Sequence, residues 1–233
     1  MIPENNLAYL QSAVDADVRK AYSAMLKQRK INDIERIMNL TGMRPKFADE
    51  DIQNAYVEIL EKGGIEDVDA EYVRNFHIES SMSSAAKLKK LTGVKPRAGT
   101  TERIKGSLQE LYGHYMICGY IEEAVGLKEL TGIGPQMDEE MERKVQIGHS
   151  RCISNGYWAG AVKLKKLTGA APEMNRLMKA RVQVMYGACF ELIAERDDKE
   201  TYIKLARKMK KATGIAPSKK LLKKYPQYAE MLK

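Results

Sequence analysis

The stretch NGYWAGAVKLKKLTGAAP, residues 155–172, decides the fold, because its closing phrase returns four more times. Thr-Gly-x-x-Pro ends at Pro45, Pro96, Pro135, Pro172 and Pro217, with spacings of 51, 39, 37 and 45 residues. Counting back from each Thr, position −10 is Ile31, Met82, Ile121, Trp158 and Ile203. Position −7 is Ile34, Ala85, Ala124, Ala161 and Ala206, and position −4 is Ile37, Leu88, Leu127, Leu164 and Met209. Position −1 is Leu40, Leu91, Leu130, Leu167 and Ala212. Apolar residues at this spacing predict one buried stripe on a helix of about three turns. The Gly that follows suits the left-handed position closing a helix. The Pro cannot continue that helix and is expected to open the next.

A second phrase keeps step with the first. Apolar-Gln-x-x-ring reads IQNAY at 52–56, LQELY at 108–112, VQIGH at 145–149 and VQVMY at 182–186, with VRKAY (18–22) and LLKKY (221–225) as degraded terminal copies. The rings Tyr22, Tyr56, Tyr112, His149, Tyr186 and Tyr225 stand 34, 56, 37, 37 and 39 residues apart. Between Pro and ring, Met137/Met174, Met141/Met178 and Val145/Val182 fall four apart, which predicts a first helix ending at Gly63-Gly64, Gly119 or Asn155-Gly156. Glu195–Asp198 reads as the matching, longer turn of the last full unit.

Each unit of about 37 residues is thus a helix pair. A short helix gains about 1.5–3 kcal/mol per buried large side chain, against ordering entropy of similar size, so one pair cannot stand alone. Stacked neighbours make the core continuous. The expected fold is all-α: an α-solenoid of helix-turn-helix repeats over 1–217, closed by a basic capping helix at 218–233. The unit holding Tyr56 is about 18 residues too long, and IEDVDAEYVRNFHI at 65–78 reads as an extra helix interrupting the array.

GYIEEAVGLKELTGIGP (119–135) resembles the pentatricopeptide pattern, with its Gly turn, small residue five positions on and closing G-x-x-P. NGYWAGAVKLKKLTGAAP resembles the second helix and turn of an ankyrin repeat. The second helix is about a turn shorter than a pentatricopeptide one, and helix rather than hairpin follows the Pro. The resemblance therefore implies the general α-solenoid class and carries over no functional residue. A pentatricopeptide likeness implies RNA binding, an ankyrin likeness protein binding.

Composition narrows the class of function. The 233 residues carry 39 Lys/Arg and 31 Asp/Glu, a formal charge of +8. Residues 1–80 hold −5, 81–200 hold +4 and 201–233 hold +9, which points to an anionic partner. No apolar run is long enough for a transmembrane helix, and the N-terminus lacks the pattern of a signal peptide. Three Cys cannot build a disulfide framework, so a reducing, cytoplasmic setting is expected. No P-loop, H-E-x-x-H, G-x-S-x-G or C-x-x-C is present, so no enzyme, cofactor or metal is expected. Cys118, Cys152 and Cys189 fall late in first helices, where buried, inert thiols are expected.

Two repeated polar sets remain. Gln53, Gln109, Gln146 and Gln183 hold one position of the first helix. Their amides suit either a concave binding face or a structural bond to a carbonyl of the inter-repeat turn; the latter is preferred. Lys89, Lys128, Lys165 and Lys210 recur at −3, followed at −2 by Lys90, Lys166 and Lys211, with Lys219, Lys220, Lys223 and Lys224 beyond. Stacking would align them into a cationic stripe suited to RNA or another extended polyanion. The alternative is a protein–protein adaptor using the concave face.

Overall fold

Helix punctuation sets every later position in the fold. The computed structural model describes residues 4–62, 71–195 and 199–228, and these hold twelve α-helices. In chain order they are α1 Glu4–Lys27, α2 Ile31–Thr41, α3 Asp49–Lys62, α4 Glu71–Thr92, α5 Ala98–Arg103 and α6 Lys105–Cys118. There follow α7 Ile121–Thr131, α8 Glu139–Ser154, α9 Trp158–Thr168, α10 Arg176–Glu195, α11 Lys199–Thr213 and α12 Lys219–Lys224. One 3₁₀ turn, Pro226–Tyr228, comes last. No strand occurs among the described residues.

All five Thr-Gly turns are built alike. The Thr hydroxyl donates to the carbonyl four residues back (Thr41 to Ile37, Thr92 to Leu88, Thr131 to Leu127, Thr168 to Leu164, Thr213 to Met209) at 2.7–2.9 Å. It also accepts from the N–H two residues on, as Ala170 does on Thr168 at 3.2 Å. Each Gly sits at φ +69° to +78°, where a side chain would be strained, and its N–H takes the carbonyl of position −3. The prolines do not open the following helices. They stand two to four residues ahead of them, with Pro96 and Pro217 directly before the N-caps Arg97 and Ser218. That delay leaves Met137 and Met174 outside α8 and α10 and only half-buried.

The second-helix stripe is buried where its phase allows. Ala85, Ala124, Ala161 and Ala206, with Leu88, Leu127, Leu164 and Met209, are all fully buried. At −1 the pattern frays: Leu40 is 77% exposed, Leu91 and Leu167 half-buried, Leu130 and Ala212 buried. A three-residue step falls about 60° short of a full turn on a 3.6-residue helix, so positions −10 and −1 point about 180° apart. One end of the stripe is therefore lost wherever nothing covers it.

The chain divides into two compact units, 1–111 with 126–133, and 112–125 with 134–233, so that α6 and α7 are shared. In the first unit α1 packs on α2 and α3 on α4, with α1 against α3 and α2 against α4. In the second unit α8 packs on α9 and α10 on α11, with α8 against α10 and α9 against α11. Each unit thus stacks two helix pairs, first helix on first and second on second. Of the extra helix expected at 65–78, residues 65–70 lie outside the described residues. Residues 71–78 are helical but belong to α4, in one helix with SSMSSAAKLKKLT. The turn expected at Glu195–Asp198 lies beyond the described residues after Glu195.

Close packing fixes α8 against α6. A Cβ on Gly148 would stand 2.7 Å from the Met116 carbonyl, which cannot move aside as a side chain can. Trp158 is buried to 1% at the start of α9. No helix among the described residues is long and apolar enough to cross a membrane.

Candidate functional site

The ring and Gln positions act together on the turn that closes their own helix pair. Tyr22, Tyr56 and Tyr186 donate their hydroxyls to the carbonyls of Met43, Val94 and Ile215, the first residue after each Thr-Gly, at 2.7–2.8 Å. His149 does the same through Nε2 to Ala170 at 3.1 Å. Gln53, Gln146 and Gln183 donate Nε2 to the carbonyl just before the Pro (Lys95, Ala171, Ala216) at 2.9–3.0 Å. Their Oε1 accepts the N–H just after the Pro (Arg97, Glu173, Ser218) at 2.7–2.8 Å. A primary amide has one donor side and one acceptor side, so a Gln side chain can bracket an X-Pro-X peptide in this way. Gln53 is the most enclosed, 7% exposed, and also accepts from the Thr100 hydroxyl at 2.8 Å. Gln109 holds the same sequence position, is half-buried and is itself engaged.

Burial dictates the ionisation of these groups. Desolvation pushes the Tyr56, Tyr112 and Tyr186 hydroxyls far above the ordinary tyrosine range. It pushes His149 below the ordinary imidazole value, opposed by the Ala170 bond and assisted by the Lys165 charge. Neutral His149 carries its proton on Nε2, since that atom bonds a carbonyl; its buried Nδ1 has no hydrogen-bond partner among the described residues. Burial lifts the Cys152 and Cys189 thiols to about 11. Cys118 departs from the expectation of a buried thiol: it is half-buried, with Sγ 3.4 Å from His114 Nε2. Among the described residues no three His, Cys, Asp or Glu side chains converge as metal ligands do.

The lysines lie where the helix ends put them. Lys89 and Lys128 close α4 and α7 in the first unit; Lys165 and Lys210 close α9 and α11 in the second. Lys128, Lys165, Lys166, Lys210 and Lys211 are exposed and Lys89 is half-buried. Lys90 pairs with Glu35 at 3.9 Å. On α12, Lys219, Lys220 and Lys223 are exposed, and Lys224 meets Glu191 at 3.4 Å while lying over the Tyr225 ring. The charge is split unevenly: the second unit holds 21 Lys/Arg against 13 Asp/Glu, the first 18 of each. The whole +8 excess therefore resides in the second unit. The −11 tyrosines offer little to a base: Tyr157 donates to Glu122, which Lys163 also binds, and Tyr120 and Tyr202 are half-buried. Those two partners, Lys163 first, hold the Glu122 carboxyl below its ordinary range, and Glu122 lifts Tyr157 to about 12.

A groove that the repeat phrases do not reveal runs between α8 and α10. Its volume is about 700 Å³, and Arg143, Ile147, Arg151, Asn175 and Met178 are among its walls. A second cavity of about 600 Å³, lined also by Glu139 and Glu142, shares Arg143, Gln146 and Glu173 with it. In the sequence only the polar side of α8 marks it, since the apolar stripe lies on the opposite, core-facing side. Comparison of this chain with protein-family models, with curated proteins and with solved structures finds no match.

Proposed function

We propose that this chain is a non-enzymatic helical-repeat scaffold, its helix pairs continuing as an α-solenoid, that binds RNA or another extended polyanion in the cytoplasm. The observation that carries this reading is the lysine set at the ends of the second helices. In the second unit, Lys165 and Lys166 end α9 and Lys210 and Lys211 end α11, and these two helices pack side by side. Packed helices lie about 8–10 Å apart, so lysines on the two helix ends can reach different phosphates of one extended strand. Lys165, Lys166 and Lys211 have no carboxylate within ion-pair distance among the described residues, so a phosphate need displace none. Lys219, Lys220 and Lys223 extend the cationic surface within the same unit, where the entire net charge lies. Lysines in a last helical turn also favour the macrodipole, which accounts for their place on each helix but not for the +8 imbalance between units.

Gel-shift titration of a single-stranded RNA across a salt series tests this. Affinity is expected to fall by about 0.7 log unit per log unit of salt for each neutralised phosphate. Lys165→Glu with Lys210→Glu and Lys211→Glu is expected to abolish binding while helicity and melting stay unchanged. Wild-type protein without RNA affinity at low salt, or a triple variant with full affinity, refutes the reading.

A further inference from the structure

The groove between α8 and α10 is electrically polarised along its length. The adjoining cavity, which shares Arg143, Gln146 and Glu173 with the groove, continues it toward the N-terminal end of α8, where Glu139 and Glu142 lie. Arg151 lies at the C-terminal end, where the Arg181 guanidinium also donates to the Ser154 carbonyl at 2.5 Å. Glu139 and Arg151 are twelve residues apart on one helix, about 18 Å at 1.5 Å per residue. Glu139, Glu142, Glu173, Arg143 and Arg151 have no ion-pair partner within 4 Å among the described residues, whereas neighbouring Glu140 is paired with Lys144 at 2.6 Å. Between the charged ends the walls are apolar at Ile147, Met174 and Met178. Elsewhere on α10, Leu177 and Val184, seven residues apart, are 78% and 71% exposed.

We infer that this groove is a docking site for a peptide segment of a partner protein, one that is basic at one end, apolar in the middle and acidic at the other. The charge pattern selects the occupant. A nucleic acid strand is negative throughout and would have to pass three unpaired carboxylates. The groove also presents no aromatic ring on which a base could stack. A peptide can place Lys or Arg over Glu139, Glu142 and Glu173, apolar side chains over the methionines, and a carboxylate on Arg151, where a bidentate guanidinium pair forms. An extended chain covers about 18 Å in five or six residues, which sets the length of the motif. The arrangement also fixes direction, since a peptide of reversed charge order meets like charge at both ends. This docking is independent of the lysine contact proposed above.

The test is selection of phage-displayed random 12-residue peptides on the full chain, followed by fluorescence anisotropy with the synthetic winner. Enriched sequences should carry a basic and an acidic residue about five positions apart, with apolar residues between. Arg151→Glu should weaken the winner at least tenfold, and changing the peptide's acidic residue to Lys should restore affinity to that variant. Unchanged far-UV circular dichroism and Trp158 fluorescence melting of Arg151→Glu show that the unit remains folded. A labelled U12 RNA should bind wild type and Arg151→Glu equally and should not be displaced by the peptide. No such enrichment, a winner indifferent to Arg151→Glu, or an RNA that the peptide displaces and Arg151→Glu loses would each overturn the inference, the last by assigning the groove to nucleic acid.

Discussion

Replacing Gln53 by Leu keeps the side-chain volume but removes both ends of the amide. Three hydrogen bonds go with it: Nε2 to Lys95 O at 3.0 Å, Arg97 N–H to Oε1 at 2.8 Å and the Thr100 hydroxyl to Oε1 at 2.8 Å. A net hydrogen bond is worth about 1 kcal/mol, and a buried group left without its partner costs about 1–3 kcal/mol. Gln53 is 7% exposed, so water replaces little of what is lost, and the expected destabilisation is about 3 kcal/mol. Gln146→Leu removes the same bracket, Ala171 O at 3.0 Å and Glu173 N–H at 2.8 Å, but both bonds face solvent. Water takes over there, and about 1 kcal/mol or less is expected. Urea unfolding reads both: far-UV circular dichroism for Gln53→Leu, and for Gln146→Leu the fluorescence of Trp158, the single Trp of the chain, on the helix that packs against α8. A Gln53→Leu variant within about 1 kcal/mol of wild type, or a Gln146→Leu variant as damaged as it, would refute the idea that the amide holds the turn in proportion to its burial.

Three further outcomes are expected. Leu127→Ala, at a fully buried site, should cost about 2–5 kcal/mol in the same assay, as large-to-small core changes do. The neutral, buried His149 has a depressed folded-state pKa, so its contribution is full above the unfolded value of about 6.5 and is lost as pH falls below it. Stability read at Trp158 should therefore drop between pH 7 and pH 5, and His149→Tyr, which keeps a donor for Ala170 O and removes the unpartnered Nδ1, should flatten that slope. Native-state titration with a disulfide reagent should show one fast thiol, Cys118, and two, Cys152 and Cys189, that react only on unfolding, because burial holds those two near 11. Three equal rates would contradict that assignment.

Much of the local structure was legible because it is written in short-range rules. Thr-Gly-x-x-Pro specifies its own turn: the hydroxyl reaches a carbonyl four residues back, and only Gly sits easily at positive φ. A period near three marks a buried face, so Ala161 and Leu164 were readable as core from their spacing alone. Even the degraded copy VRKAY keeps its register, with Tyr22 buried and its hydroxyl on the turn carbonyl of Met43. The helix starts are not legible from Pro alone, because Pro is compatible both with the first helical position and with the residues ahead of the helix, and here it stands two to four residues ahead of each. Leu40 belongs to the apolar pattern, yet it is exposed, since the fate of position −1 depends on what covers that side of the helix.

The charged residues divide in the same way. Sequence alone determined that lysines close successive second helices and that the basic excess lies late in the chain. Tertiary structure alone decided which of them are paired, as Lys90 is to Glu35 and Lys224 to Glu191. It also set the carboxylates of Glu139, Glu142 and Glu173 at one end of a groove and Arg151 at the other, although Glu173 lies on a different segment from the rest. Periodicity reports which side of a helix faces the core. It does not report which two helices become neighbours on the opposite side, because that choice is made by packing between residues distant in sequence.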